Sequence, residues 1–497
     1  MKHLLASLLT IGLLAACTFV LPIPSTPSPT APDIDLDRIE PDIPAFREGL
    51  VASAQPVLKE MEGAPTYQIE FAIDESLTRV DGKEYVRYTN REDVPLEEIR
   101  FRLFPNILGG KMTVTDLRVE SLPVTPRYEL NDSLMIVPLA QALVVGAHVN
   151  ISMEFAVEVP TAAELNYGVL AYTEEVLTLA HAYPMICVYD DEGWNAELPP
   201  QSGDVTYADA SFFLVAVTAP EGVTVVASGA ESGPVKRGPQ EVWTVAAGPA
   251  RDFFVAASRA FEVESRTVGE VTVNSYAVRG LEGGMQSALE TAVRAVETYS
   301  AAYAPYPYTE LDVVGTPTLA LGVEYPGVIA IANRIYAEQY STAPDSFVRE
   351  STVAHEVGHQ WFYNLVGNDQ LDEPWLDESL TQFVTWEYFR LNYDASAASG
   401  FEDSLRRRWG RVEDAPIPIG RPVAAYAGVE YSAVVYGRGA LFFDALRDEM
   451  GESAFDALLK DYAAAFAWKI ATAEGLKSLA EEHCACDLTE LFGEWVY

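Results

Sequence analysis

Basic residues and cysteines are scarce in this chain, and each shortage closes off a class of protein. Only 33 Lys and Arg stand against 73 Asp and Glu in 497 residues, a formal charge of −40. A field of that sign repels a phosphate backbone and has few cations with which to displace its counterions, so no nucleic-acid partner is expected. The same acidity weakly favours cationic peptides, although its first consequence is a well-solvated exterior. Four cysteines are present, and without Cys17 the remaining three, Cys187, Cys484 and Cys486, cannot make a full disulfide framework. His483-Cys484-Ala485-Cys486 is one short cluster without the matching cluster that a structural zinc needs, so it reads as a buried or disulfide-bonded pair. No internal repeat is found. What is there is the composition of a globular protein, 49% apolar and 21% charged, at a length that suggests two or three domains.

The chain opens with Met1-Lys2-His3, an apolar run from Leu4 to Leu14, and then Ala15-Ala16-Cys17. A charged start, a short apolar stretch and small residues before a cleavage point make a secretory signal. The cysteine directly after Leu-Ala-Ala resembles a bacterial lipobox, in which lipid is attached to Cys17 as the mature N-terminus. Residues 1–17 are then a lipoprotein signal peptide, and the protein is an extracytoplasmic, cell-surface or periplasmic lipoprotein. The alternative is an uncleaved N-terminal transmembrane anchor, because apolar character continues through Phe19 to Ile23 and gives about the 20 residues that a bilayer crossing needs. Pro22, Pro24, Pro27, Pro29 and Pro32 follow, a tract that prefers extended polyproline geometry and builds no core. Residues 18–66 are therefore expected to form a stalk, with a short helix between about residues 42 and 61.

From Tyr67 to about Val263 the apolar pattern has mostly period two, as in Tyr67-Gln68-Ile69-Glu70-Phe71-Ala72-Ile73 and Val149-Asn150-Ile151-Ser152-Met153-Glu154-Phe155. Such alternation predicts half-buried strands, and residues 67–263 read as an antiparallel β-sandwich-like domain without a catalytic cluster. Beyond it Leu289, Ala292, Val293, Val296 and Tyr299 fall on one helix face. Strand-like pieces at 311–314 and 328–332 follow, then chiefly helix to the end. Residues 264–497 are thus expected to be a mostly helical catalytic domain, making the whole chain α+β and multidomain.

That second part holds His355-Glu356-Val357-Gly358-His359 in an amphipathic stretch from Phe347 to Val366. A separation of four puts both imidazoles on one helix face, one turn apart, where two neutral nitrogens can reach one Zn2+ at about 2.0 to 2.1 Å. Glu356 can take a proton from water at that metal without becoming a ligand. A catalytic zinc needs a third protein ligand and an open fourth position. Glu378, at the start of a second helical pattern running to about Leu391, is the candidate, returned to the histidines by a turn through Gly367-Asn368-Asp369.

The segment from His355 through Gln360-Trp361-Phe362-Tyr363-Asn364-Leu365-Val366 to Trp375-Leu376-Asp377-Glu378 resembles the core of the aminopeptidase N family of gluzincins. Tyr67 to Ile73 and Arg251-Asp252-Phe253-Phe254 resemble that family's opening and closing N-terminal strands, so the resemblance spans about residues 67 to 497. It implies a thermolysin-like catalytic domain with one zinc ion. It also implies a tyrosine that hydrogen-bonds the tetrahedral intermediate: Tyr436-Gly437-Arg438-Gly439 matches the family's Tyr-x-Lys-Gly with Arg438 for Lys, and Tyr431 fits a second tyrosine five residues earlier. A phenol with a reference pKa near 10 stays protonated and can donate to an oxyanion.

The family's Gly-x-Met-Glu-Asn strand edge, whose Glu binds the substrate's α-amine, is matched by Leu321-Gly322-Val323-Glu324-Tyr325. Glu324 and Gly322 are the expected substrate-binding residues there, with Leu321, Val323 and Tyr325 as departures. A carboxylate that usually follows the third ligand by seven positions is Thr385 here, so another group must orient the ligands. The chain stops near where the family's catalytic domain ends, before a C-terminal helical domain, which implies an open cleft that admits longer peptides.

The implied activity is removal of N-terminal residues from peptides. A zinc endopeptidase with the same site is the nearest rival, and a non-catalytic surface binding module is the rival of another class, expected to have lost a ligand or base.

Overall fold

The computed structural model describes residues 44–200, 203, 205–337, 339 and 345–497. Cys17, the signal sequence and the proline-rich tract lie outside the described residues. In place of the single short helix expected near residues 42–61, two helical turns occur, Pro44–Glu48 and Val57–Glu60.

Alternating sequence becomes alternating burial in the first domain. Strand Arg79–Thr89 buries every second residue, and its neighbour His148–Glu158 does the same. Both belong to an eight-stranded sheet. Two four-stranded sheets face it across one core that joins Ile69, Phe155 and Val215 to Ile99, Met135 and Val255. This is the expected sandwich, with one departure from antiparallel pairing: Thr66–Ile73 runs parallel to Ser211–Pro220. Gly82 shows how closely the pairs fit, since a Cβ there would lie 2.1 Å from the Phe155 ring that covers it.

The sheet changes between Phe254–Ser258, in the sandwich, and Phe261–Val268, which opens a mixed five-stranded sheet. The sequence boundary at residue 264 thus falls inside a strand of the second domain. Val271–Val278, Glu310–Thr316 and Val328–Ala332 pair in parallel in that order, and Gly322–Tyr325 closes the edge antiparallel to the last. Helix Glu282–Ala302 buries Leu289, Ala292, Val296 and Tyr299 as its periodicity requires, with Val293 half-buried at the margin. The remaining helices follow to the C-terminus. Gly439–Met450 carries Phe442 and Phe443 onto the ring of Trp375, just before Glu378.

The two domains share side chains at the seam. Buried Arg251 of the sandwich donates to the carbonyls of Tyr363 at 2.6 Å and Lys469 at 2.7 Å, and Asp252 accepts from the Tyr363 hydroxyl. The Arg251-Asp252 pair singled out in the sequence therefore holds the loop that follows the two histidines. Cys484 and Cys486 form a disulfide, and Cys187 is buried and free.

Candidate active site

Helix Asp345–Gly358 delivers His355 and Glu356, but α-helical bonding does not continue to Val366 as the amphipathic pattern suggested. After Gly358 the chain tightens, Trp361 N–H donating to the Gly358 carbonyl, and then widens, with Asn364, Leu365 and Val366 each donating five residues back. His359 sits at this change of pitch. The widened turn frees the Phe362 carbonyl, 3.0 Å from His359 Nδ1, to accept its proton and leave Nε2 as the free lone pair.

The three expected ligands meet. His355 Nε2 lies 3.1 Å from His359 Nε2 and 3.1 Å from Glu378 Oε2, and His359 Nε2 lies 3.4 Å from the same oxygen. A tetrahedral ion with bonds of about 2.0 Å has ligand atoms about 3.3 Å apart, so these separations suit one zinc. The chemistry of the donors suits it too. Burial, opposed by the hydrogen bond to Glu378, leaves His355 with a pKa lowered to about 4, hence a neutral imidazole. Burial alone would raise Glu378, but the two imidazoles against it hold it well below the usual carboxylate range. Burial opposes a charge on His359, yet Glu324, Glu378 and Glu356 around it raise its pKa well above the ordinary value. Three carboxylates converging on one buried point favour a cation there.

Glu356 is buried and its pKa is raised, by desolvation first and the Glu324 charge second. Glu324, Glu356 and His359 offer atoms within 4.8 Å of one another. Gly322 lies against the base: a Cβ there would stand 2.4 Å from Glu356 Oε1. Gln370, on the connecting turn, was not signalled by any sequence pattern. Its Nε2 donates to Asp377 Oδ2 at 2.7 Å and reaches Glu324 Oε1 at 3.3 Å, while Asn368 donates to Asp377 Oδ1 at 3.0 Å. Asp377, raised to about 7 by burial and then by Glu378, ties the turn to the start of the returning helix.

Tyr436 lies in a single π-helical turn, Val434–Arg438, and its hydroxyl donates to Glu378 Oε1. The ring of Tyr431 stands edge-on to it with centroids 5.7 Å apart, one ring farther from the ligands. Gly203 of the first domain comes up to the Tyr431 phenol, where a Cβ would be 3.0 Å from Oη. Arg438 is a buried fastener: it donates to the carbonyls of Ile417, Trp495 and Glu494 and stacks on the Trp495 ring. Thr385, at the position where a carboxylate was expected, donates to the Thr381 carbonyl instead. The orienting group for His359 is the Phe362 carbonyl, whereas buried His355 Nδ1 has no partner among the described residues.

A β-sandwich leading into a mixed sheet and helices, with two imidazoles and a carboxylate gathered in the cleft, defines a zinc-metallopeptidase-type protein. Residues 287–495 match the family model described as Peptidase family M1 domain. It is 26% identical over 247 residues to "Aminopeptidase M1-B" of Oryza sativa subsp. japonica, covering 47% of this chain and 28% of that protein. It is 25% identical over 242 residues to "Probable aminopeptidase 1" of Saccharolobus solfataricus, covering 46% of this chain and 30% of that one. The chain thus spans about a third or less of the length of these relatives. A mutant of the M1 zinc metallopeptidase from Deinococcus radiodurans, solved bound to a Tyr-Ser-Ala substrate, shares the fold at a TM-score of 0.66 and 18% identity, over 88% of this chain and 94% of that one.

Proposed function

We propose that the protein is an extracytoplasmic zinc aminopeptidase that hydrolyses the first peptide bond of peptide substrates. The observation that carries the reading is the convergence of His355, His359 and Glu378 with two further buried carboxylates, Glu356 and Glu324, beside them. The ion, when bound, supplies the positive charge that acidifies water and polarises the scissile carbonyl. Glu356, buried beside the ligands, would take a proton from the attacking water and return it to the leaving amine. Tyr436 donates its phenolic hydrogen to the oxyanion, and Tyr431 packs against its ring. Glu324 receives the substrate's terminal ammonium at the edge of strand Gly322–Tyr325, which fixes cleavage one residue in.

Location rests on the leader: the apolar run ending in Ala15-Ala16-Cys17 supports lipid attachment at Cys17 and a tether to the membrane. Among the described residues no helix is long and apolar enough to cross a membrane. The Cys484–Cys486 disulfide agrees with an oxidising compartment.

The test is bound metal and hydrolysis of aminoacyl fluorogenic amides by the wild type and Glu356→Gln. One zinc per chain in both proteins, with activity reduced about 10²- to 10⁴-fold in the variant, is the expected result. A wild type that binds no metal removes the mechanism, and undiminished cleavage of an acetylated peptide turns the reading to an endopeptidase.

A further inference from the structure

In a chain with more than twice as many acids as bases, a half-buried guanidinium without an acid beside it is conspicuous, and one stands at this cleft. Arg408 lies in the last turn of helix Ala395–Trp409. Arg406 of the same turn is bound by Glu402 at 2.7 Å. Arg408 instead lies across the ring of Tyr436, Cζ 5.4 Å from its centroid, and among the described residues its guanidinium makes no hydrogen bond and no ion pair.

The placement is built into the packing. A Cβ on Gly437 would lie 2.8 Å from Trp409 N, 3.1 Å from the Leu405 carbonyl oxygen and 3.3 Å from Arg408 Cβ, so the missing side chain seats the helix on the turn that presents Tyr436. Burial disfavours the charge on Arg408 and so does the nearby Arg411, while Tyr436 and, at longer range, Glu378 offset part of that cost without pairing the guanidinium. An arginine keeps its charge regardless, so the cost stands until an anion meets it. Glu324 and Glu356 cluster on the His359 side of the metal centre, whereas Arg408 stands on the side of Tyr436, His355 and Glu378. The cleft is therefore acidic at one end and basic at the other, with the metal ligands between.

The geometry points to Arg408 as the receptor for a substrate carboxylate on the leaving-group side of the scissile bond, opposite the ammonium held by Glu324. This rests on the aminopeptidase reading above. It makes the enzyme select peptides whose carboxylate falls one or two residues beyond the cleaved bond, against the open-ended length preference expected from the sequence. Two sources supply that group: the α-carboxylate of a di- or tripeptide, or an Asp or Glu side chain at the same place. Arg suits it because its planar fork can take both carboxylate oxygens.

The experiment compares, within each enzyme form, Leu-Ala-Ala with its C-terminal amide, and Leu-Asp-Ala-amide with Leu-Asn-Ala-amide. For the zinc-loaded wild type, kcat/KM is expected to favour the charged member of at least one pair by about 10- to 100-fold, the size of a charge-assisted hydrogen bond screened from water. The first pair reports the α-carboxylate and the second the side chain. In Arg408→Gln the preferred pair's ratio falls to about 1, and Arg408→Lys restores part of it. Calorimetric binding of the same peptides to zinc-loaded Glu356→Gln, with and without Arg408→Gln, should show the same ratios without turnover. Equal handling within both pairs by the wild type, or parallel losses for the charged and uncharged members in Arg408→Gln, overturns the assignment. If the wild type cuts none of these peptides, the peptidase reading fails, and the calorimetric ratio still decides on Arg408.

Discussion

Glu356 lies against a strand edge from which a side chain has been left out. With a Cβ on Gly322 only 2.4 Å from its Oε1 and 2.5 Å from its Cδ and Cγ, the Glu356 side chain of a Gly322→Ala variant has to turn away from Cγ outward. The consequences for stability and for chemistry then separate. Folding stability should fall by about 1 kcal/mol, the low end of an overpacking cost, because the contact is with one side chain and no backbone. Activity should fall about 10²-fold, the usual result of misplacing a reacting group by about 1 Å. Zinc affinity should stay near the wild-type value, since the three atoms nearest to that Cβ all belong to Glu356, which is not a ligand. Thermal unfolding, zinc titration and kcat on one protein preparation check the three together, and an equal loss in all of them would show that Gly322 serves the fold and not the base.

Elements meet at this site through similar omissions. Ser379 opens the returning helix beside Glu378, and its hydroxyl donates to the Val435 carbonyl at 2.6 Å. A Cβ on Gly439 would lie 1.9 Å from that hydroxyl, so Gly439→Ala must push helix Glu378–Asn392 away from the turn that carries Tyr436. Overpacking of this kind costs about 1–3 kcal/mol, and here the displaced helix also carries a ligand. The expected outcome is a lower unfolding temperature together with weaker zinc binding, unlike the separation expected for Gly322→Ala. Unchanged zinc affinity in a destabilised Gly439→Ala would mean that Glu378 is positioned from elsewhere.

The same contacts explain what the sequence could reveal. His355 and His359 were legible because four residues make one helical turn, and Glu378 because it stands in a patterned segment at the right return distance. Gln370, Asn368 and Arg408 were not. The first two lie on an irregular turn whose hydrogen bonds obey no period, and Arg408 reaches Tyr436 only because two segments far apart in the chain touch at Gly437. The helix carrying His355 ended at Gly358, short of the amphipathic pattern, because the wide turn after it is stabilised by long-range bonds from Arg251 that no local pattern reports. In the first domain alternation marked the strands, while their order and the parallel pair depend on contacts across more than a hundred residues.

At the scale of the whole molecule the two domains are joined near a cluster of acids that includes none of the metal ligands. Glu231, on an outer strand of the sandwich, shares a half-buried environment with Glu310, and both lie near fully buried Asp312 on the next domain's sheet. Burial first, then the Glu310 charge, raises Glu231 to about 8, and burial raises Glu310 to about 7. Asp312 is raised as well, by burial ahead of the two glutamates, against a hydrogen bond from Asn274 at 2.9 Å, and Tyr276 is the phenol facing all three. Because the folded values lie above an unfolded value near 4.3, the folded state holds protons that the unfolded chain has released. The stabilisation they provide is complete below that unfolded value and is lost as pH rises through about 7 and about 8. Metal binding pushes the other way, since its ligands must shed protons, so the prediction is made on a difference. Denaturant unfolding of zinc-loaded wild type and Glu231→Gln should show the variant gaining stability relative to the wild type from pH 6 to 9. The glutamine remains neutral and can keep the bond from Ala227 N–H, now 2.7 Å from Glu231 Oε1. A difference that is flat across that range, or that changes in the wild type's favour, would mean that these carboxylates are already ionised in the folded protein at neutral pH.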